Sequence, residues 1–162
     1  MVDAERNVGD GYMYPIILTK PLSAVVIGGG IVGERKVRGL LAASADVTVI
    51  SPEVTELIGA WAKEGRIRWE ARPYHSGDLT GAGLAYAASG SRAVNAQVAE
   101  EARMAGILCN VVDLPDEGSF HVPAVLRGCE VLVTVSTYGE DPARARALRD
   151  RIACWLESED LL

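Results

Sequence analysis

Short apolar runs alternate with helix-length patterns over most of the chain. Residues 23–28 read SAVVIG, a β-branched run closed by glycine, which predicts a buried strand. Gly33, Val37, Leu40, Leu41 and Ser44 then recur at helical spacing, with Glu34, Arg35 and Arg38 off that stripe. A second strand is predicted over residues 46–51. Ser51 followed by Pro52 offers an N-cap and first-turn pair for a helix through Leu57, Ile58 and Trp61 that stops near Gly65. RIRWEARPY carries Ile67, Trp69 and Ala71 in alternation and predicts a third strand; residues 83–89 predict a fourth. Ser91 caps a helix bearing Val94, Val98 and Ala102 that ends at Gly106, and residues 107–113 form a fifth strand. Strands separated by such helices predict right-handed βαβ units, hence an α/β fold with a doubly wound, Rossmann-type parallel sheet.

The pattern changes after Asp113. SFHVPAVLRGCEVLVTVS predicts two strands around Arg127-Gly128, with Pro123 confining the first to an edge or an irregular course. EDPARARALRDRIACWLE predicts a helix capped by Asp141, with Pro142 at its first position and Ala145, Leu148, Ile152 and Trp155 on the inner face. Three parts follow: a polar, flexible tail over residues 1–12, with Met13 an equally good start; a Rossmann domain over 13–113; and a short C-terminal β-pair and helix over 114–162.

Composition narrows the function classes. No apolar run approaches the roughly 18 residues that cross a bilayer, and the first twelve residues lack the basic-then-apolar layout of a secretory leader. The expectation is a cytoplasmic protein without a membrane partner. Cys109, Cys129 and Cys154 are odd in number and set among apolar neighbours, which reads as buried thiols, with no Cys/His cluster for a metal. The net charge of −6 argues against nucleic acid as the main partner. It leaves room for locally concentrated arginines to hold a polyanionic small molecule.

Candidate chemistry centres on AVVIGGGIVGERK, which places Gly28, Gly30 and Gly33 in G-x-G-x-x-G register. Gly28 permits the tight turn, Gly30 lets a pyrophosphate approach the backbone, and Gly33 lets the helix pack on the strand. Alone the motif is weak; here it closes a strand and opens the first helix, the context it requires. Strand two ends at Ser51, where an acid usually holds the ribose, and Glu53 lies two residues on. No arginine follows closely enough to hold a 2′-phosphate, which favours NAD over NADP. Asp113 closes strand five at the carboxyl edge, where open α/β folds bind ligands, and can act as an acid/base group. A strand-end Asp capping the LPDEG turn is the structural alternative.

Several stretches together resemble one family: MYPIIL, VVIGGGIVGERKVRGLL, VTVISPE, VVDLPDEGSFHVPAVLRG and VTVSTYGEDPARARALRDRI. They are similar to the precorrin-2 dehydrogenase/sirohydrochlorin ferrochelatase family, the dehydrogenase module of siroheme synthase. The most specific part is CNVVD.P..GSF.VP, residues 109–123. The resemblance implies NAD-dependent oxidation of precorrin-2 to sirohydrochlorin, with iron insertion in some members. It maps the key acid onto Asp113 and cofactor contacts onto Ile31, Val32, Pro52 and Glu53, beside Ser51 and Ser89. It also implies a homodimer built by the segment after Asp113. A macrocycle bearing several carboxylates needs cationic partners, and Arg127, Arg144, Arg146 and Arg149 are candidates, with Ser136, Thr137 and His121. A solvated helix face accounts for such arginines equally well, and a lone histidine also serves as a structural polar residue.

The chain departs from the family pattern in three places. Tyr138 replaces a glycine, with Glu140 and Asp141 adding charge; Ser89-Gly90-Ser91 stand where acids are usual; and fuller members continue into a helical region. No metal-ligand cluster argues independently for chelation. Two other readings remain: a non-catalytic NAD(H)-binding regulatory Rossmann domain, which usually keeps the strand-two acid, and a degenerate member that binds a tetrapyrrole without oxidising it.

Overall fold

The computed structural model describes residues 13–128 and 130–159, so the expected tail and Cys129 lie outside the described residues. The chain divides into two compact units: Lys20–Val122, and a second that joins residues 13–19 to those from Pro123 onward.

The first unit contains β1 (Ser23–Gly29), α1 (Ile31–Leu41), β2 (Asp46–Val54), α2 (Glu56–Lys63), β3 (Arg68–Glu70), β4 (Leu84–Ala87), α3 (Arg92–Ala105) and β5 (Leu108–Val111). Its five strands are parallel in the order β3-β2-β1-β4-β5. Side chains alternate across the central strand. Ala24 and Val26 share a core with Val37 and Leu40 of α1 and Ile58 and Trp61 of α2, whereas Val25 and Ile27 pack with Val98, Ala99 and Ala102 of α3. A strand buried on both faces must be apolar throughout, which is why β1 reads as a continuous run. The doubly wound parallel sheet expected from the sequence is the fold observed.

Local details differ where tertiary register overrides local chemistry. Ser51 and Pro52 do not start a helix: β2 continues to Val54, and Thr55 caps α2 by accepting from the Ile58 N–H at 3.3 Å. The register jumps from Ile27↔Ile50 to Gly29↔Val54, so residues 51–53 bulge out of the ladder. Pro52 has no N–H to lose there. The third strand is only Arg68–Glu70, an exposed edge, with Ile67 buried ahead of it and Ala71 beyond it. The expected starts and stops of α3 hold, with Ser91 accepting from Val94 N–H and Gly106 left-handed at the C-terminus.

Two devices hold the loops. Glu101 on α3 accepts from the Tyr74 hydroxyl at 2.5 Å and from Gly77 and Leu79 N–H at 3.0 and 3.1 Å, pinning the β3–β4 loop. At the other edge, β5 is sealed by the strap that follows a short 3₁₀ turn, Pro115–Glu117. Cys109 N–H donates to Ser119 Oγ, Ser119 N–H to Cys109 C=O, and Asn110 Nδ2 to Phe120 C=O, each within 2.8–2.9 Å. Phe120 meets Tyr86 edge to face, with ring centroids 5.6 Å apart. The GSF triplet is therefore an edge cover, which blunts a strand that would otherwise invite pairing. Burial pushes the Cys109 thiol up to about 11, which keeps it protonated at neutral pH.

The second unit holds β6 (Ala124–Arg127), β7 (Leu132–Val135) and α4 (Pro142–Ser158). The strands pair antiparallel, and α4 packs on both. Asp141 caps α4 through Arg144 N–H at 2.8 Å, as the sequence predicts. The buried face is Ala145 and Leu156, with Leu148 and Ile152 half-buried between them. Trp155 lies outside it and is 57% exposed, and Cys154 is exposed rather than buried, because α4 has one packed side only. Tyr138 adopts φ +56°, a conformation that suits glycine.

Two outcomes follow. Tyr138→Gly relieves a left-handed non-glycine residue and raises stability by about 0.5–1 kcal/mol in urea denaturation. Burial opposes the charge of Glu101, but the Tyr74 hydroxyl and the two N–H groups outweigh it and hold its carboxyl below the ordinary 4.5. A depressed carboxyl stabilises the fold above its unfolded value, and this contribution is lost as pH falls from 4.5 through the folded value. Glu101→Gln therefore costs about 1–2 kcal/mol at pH 7, and the gap to wild type narrows in acid, read by urea melts across that range.

Candidate functional site

The glycine loop lies at the carboxyl edge of the sheet, between β1 and α1. Gly28 has φ +114°, and a side chain there would strike the Ala88 carbonyl and come within 2.8 Å of Ser89 N. Gly33 sits against the Gly28 carbonyl, which lets α1 start flush with the sheet. Gly30 is different. It caps α1 without a side-chain hydrogen bond, and a Cβ there would meet nothing within 4 Å. The first turn of this eleven-residue helix thus has no side-chain cap for its N–H groups, and it carries exposed Ile31 and Val32. This is the cradle an anionic pyrophosphate requires, since free N–H groups and the helix dipole both favour negative charge.

Both flanks of the loop carry residues singled out from the sequence. On one side the β2 bulge is clamped to Gly29: Thr55 N–H donates to Gly29 C=O at 2.9 Å, and a Cβ on Gly29 would lie 2.5 Å from the Glu53 carbonyl. Within the bulge the Ser51 hydroxyl donates to Glu53 C=O at 2.7 Å, and Trp69 Nε1 donates to Ser51 C=O at 3.0 Å. The Ser51 hydroxyl hydrogen is thus spent inside the bulge, and the exposed Pro52 and Glu53 form its rim. On the other side lies Ser89, just past β4.

Asp113 lies two residues past the end of β5, further out than a strand-closing position. Its Oδ1 accepts from Asn95 Nδ2 and from Arg92 Nη1, both at 2.9 Å. Its Oδ2 accepts no hydrogen bond among the described residues. Arg92 also pairs with Glu117. Asn95 is fully buried, and its amide further exchanges hydrogen bonds with Ser89: Ser89 N–H to Oδ1 and Nδ2 to Ser89 C=O, both at 3.0 Å. The glycine loop, Ser89 and Asp113 therefore form one connected edge.

Asn95 and Arg92 were not singled out by the sequence reading. The signal was present: Asn95 lies on the buried stripe with Val98, Ala99 and Ala102, where a polar residue needs partners. Lys36 is a third such residue. It lies 5.6 Å over the Tyr86 ring, and burial, with Arg35 nearby, lowers it to about 8.

The remaining candidates do not converge on this edge within the first unit. His121 is exposed in an irregular segment ahead of β6, not on a strand. Arg127, Ser136, Thr137, Arg144, Arg146 and Arg149 belong to the second unit. There Ser136 accepts from Tyr138 N–H, and the Thr137 hydroxyl donates to Asp141 C=O, closing the turn into α4. Arg149 is engaged with Asp150 and with the Val125 carbonyl, so it braces α4 on β6. Arg127, Arg144 and Arg146 are exposed.

Known proteins resemble this chain. The chain is 41% identical over 132 residues to siroheme synthase 1 of Aeromonas salmonicida, covering 82% of this chain and 28% of that protein. It is 43% identical over 145 residues to the siroheme synthase of Methylococcus capsulatus, covering 89% and 31% respectively. The chain thus spans under a third of these relatives' length. Among solved structures, SirC, a precorrin-2 dehydrogenase, superposes with a TM-score of 0.73 at 25% identity, covering 88% of this chain and 70% of that one. Residues 17–124, spanning the glycine loop, the β2 bulge and Asp113, match the family described as putative NAD(P)-binding, and this chain belongs to that family.

Proposed function

We propose that this chain is a precorrin-2 dehydrogenase module that oxidises precorrin-2 to sirohydrochlorin with NAD⁺ in siroheme synthesis. The likeness to siroheme synthases and to SirC supports the substrate. The observation that carries the reading is the continuous edge from the open Gly30 cradle, through Ser89, to Asp113. Such an edge brings a dinucleotide site and a carboxylate to the same crevice, where parallel sheets bind ligands.

The residues fit the cofactor. The 28–33 loop and the first turn of α1 hold the pyrophosphate, and Ile31 and Val32 give it apolar contact. The bulge rim, Pro52 and Glu53, borders the adenosine side, with Ser89 on the opposite flank of the loop. A carboxylate at Glu53 favours a free ribose hydroxyl and repels a 2′-phosphate, which selects NAD over NADP. A bound nicotinamide supplies the hydride acceptor. Asp113 Oδ2, free of donors, takes the proton that the substrate loses. The exposed Arg127, Arg144 and Arg146, with His121, are the groups proposed for the substrate's carboxylates, whereas Arg149, Ser136 and Thr137 could serve it only by giving up the bonds that brace α4 and its turn. Iron insertion is a separable step that the same preparation can be assayed for.

The second unit supports a homodimer. A two-stranded sheet is marginal by itself, and this unit exposes Tyr14, Ile16, Ile17, Leu132 and Trp155. A second copy is the occupant proposed for that apolar surface. Among the described residues no helix is long and apolar enough to cross a membrane, which is compatible with a cytoplasmic enzyme.

The deciding assay mixes purified protein, precorrin-2 and NAD⁺ and follows NADH and sirohydrochlorin absorbance. Turnover is expected, falling by about 10²–10⁴-fold in Asp113→Asn while NADH still binds. No turnover by the wild type overturns the assignment. Light scattering at micromolar concentration should report a dimer; a clean monomer counts against the proposed pairing.

A further inference from the structure

The geometry points to Asn95 and Arg92 as positioning residues: together they lock Asp113 by its Oδ1, leaving Oδ2 as the proton acceptor, and Asn95 ties that carboxylate to the cofactor loop at Ser89. This rests on the dehydrogenase reading above and deepens it. Asn95 is fully buried, and its amide makes three contacts: Ser89 N–H, Ser89 C=O and Asp113 Oδ1, at 3.0, 3.0 and 2.9 Å. A buried amide left unpaired is costly, so its orientation is determined by these partners. The Ser89 N–H requires Oδ1 on one side, which directs Nδ2 at Asp113. Arg92 Nη1 reaches the same Asp113 oxygen from the first turn of α3, and its other end is held by Glu117.

Two donors on one carboxylate oxygen fix the plane of the group and leave the second oxygen unhindered. In the proposed reaction the substrate gives up a hydride, with its electron pair, to the cofactor and one proton to Oδ2, so two hydrogens leave and both are accounted for. The coupling matters because the loop that flanks Gly28 and the carboxylate that receives the proton are joined by one side chain. A shift of either by a fraction of an ångström is transmitted to the other, and misplacement of about 1 Å costs on the order of a hundredfold in rate.

The test uses the full chain and separates the two halves of the claim. Asn95→Asp keeps an oxygen for the Ser89 N–H but loses both Nδ2 bonds, to Asp113 and to the Ser89 C=O, and sets a second carboxylate against Asp113. It should lower kcat for precorrin-2 oxidation by at least about tenfold, with KM near wild type and NADH affinity, read by NADH fluorescence, falling less than in Asn95→Ala. Arg92→Ala should lower kcat several-fold, and Arg92→Lys should restore most of it. Asn95→Ala releases the Ser89 loop and should weaken NADH binding about tenfold, equivalent to about 1.4 kcal/mol. Wild-type kcat in Asn95→Asp, or wild-type NADH affinity in an Asn95→Ala protein shown folded by circular dichroism, overturns the inference. If Asn95→Ala does not fold, Asn95→Asp and the Arg92 pair decide it. If the wild type binds NADH but does not oxidise precorrin-2, the proposed reaction falls, and the NADH titrations still decide the link to Ser89.

Discussion

The close crossing of Gly28 and the end of β4 is the constraint on which the candidate site depends. With φ +114° and the Ala88 carbonyl 2.3 Å from where a Cβ would lie, position 28 has no room for a side chain. That contact brings the first strand-to-helix turn down onto β4, so that the Gly28 carbonyl in turn meets Gly33 and α1 starts at the sheet surface. Ser89 becomes the loop's neighbour as a consequence, and everything hung on Ser89, including Asn95 and Asp113, is placed relative to the anion cradle. A side chain at Gly28 would disturb the site through backbone displacement, before any direct effect on a ligand.

Legibility in the sequence followed how local each cause is. β1 and the caps of α3 are decided within a few residues, by a β-branched run, Ser91 and left-handed Gly106, and these were readable. The start of α2 was not. Ser51-Pro52 is a plausible start by local chemistry; what selects Thr55 instead is the pairing of Val54 with Gly29, a contact between residues far apart in the chain. Trp155 was misassigned because an i, i+3, i+4 pattern leaves two adjacent stripes open, and packing on β6 and β7 chose the one ending at Leu156.

The CNVVD.P..GSF segment shows how a specific motif divides its labour. Asp113 alone bears candidate chemistry. Gly118, Ser119 and Phe120 close the exposed side of β5, and a Cβ on Gly118 would crowd the Cys109 and Pro115 carbonyls at 3.0 and 3.1 Å. Sealing this edge fixes where the chain re-emerges after Asp113, and so fixes the carboxylate. The motif is recognisable from sequence, yet most of it is structural support for one functional side chain.

Arg92 completes this account on energetic grounds. Its pair with Asp113 is exposed, with side chains 42% and 34% accessible, and exposed ion pairs contribute at most about 1 kcal/mol to stability. Stability is therefore a poor reason for the arrangement. Orientation is a better one, because Arg92 meets the same oxygen that buried Asn95 already holds, and a second donor there adds directional constraint more than binding energy. The chain has no acids at Ser89-Gly90-Ser91, and a cation follows immediately at position 92. Arg92 thus joins two acids, Asp113 and Glu117, and meets the first through Oδ1 alone.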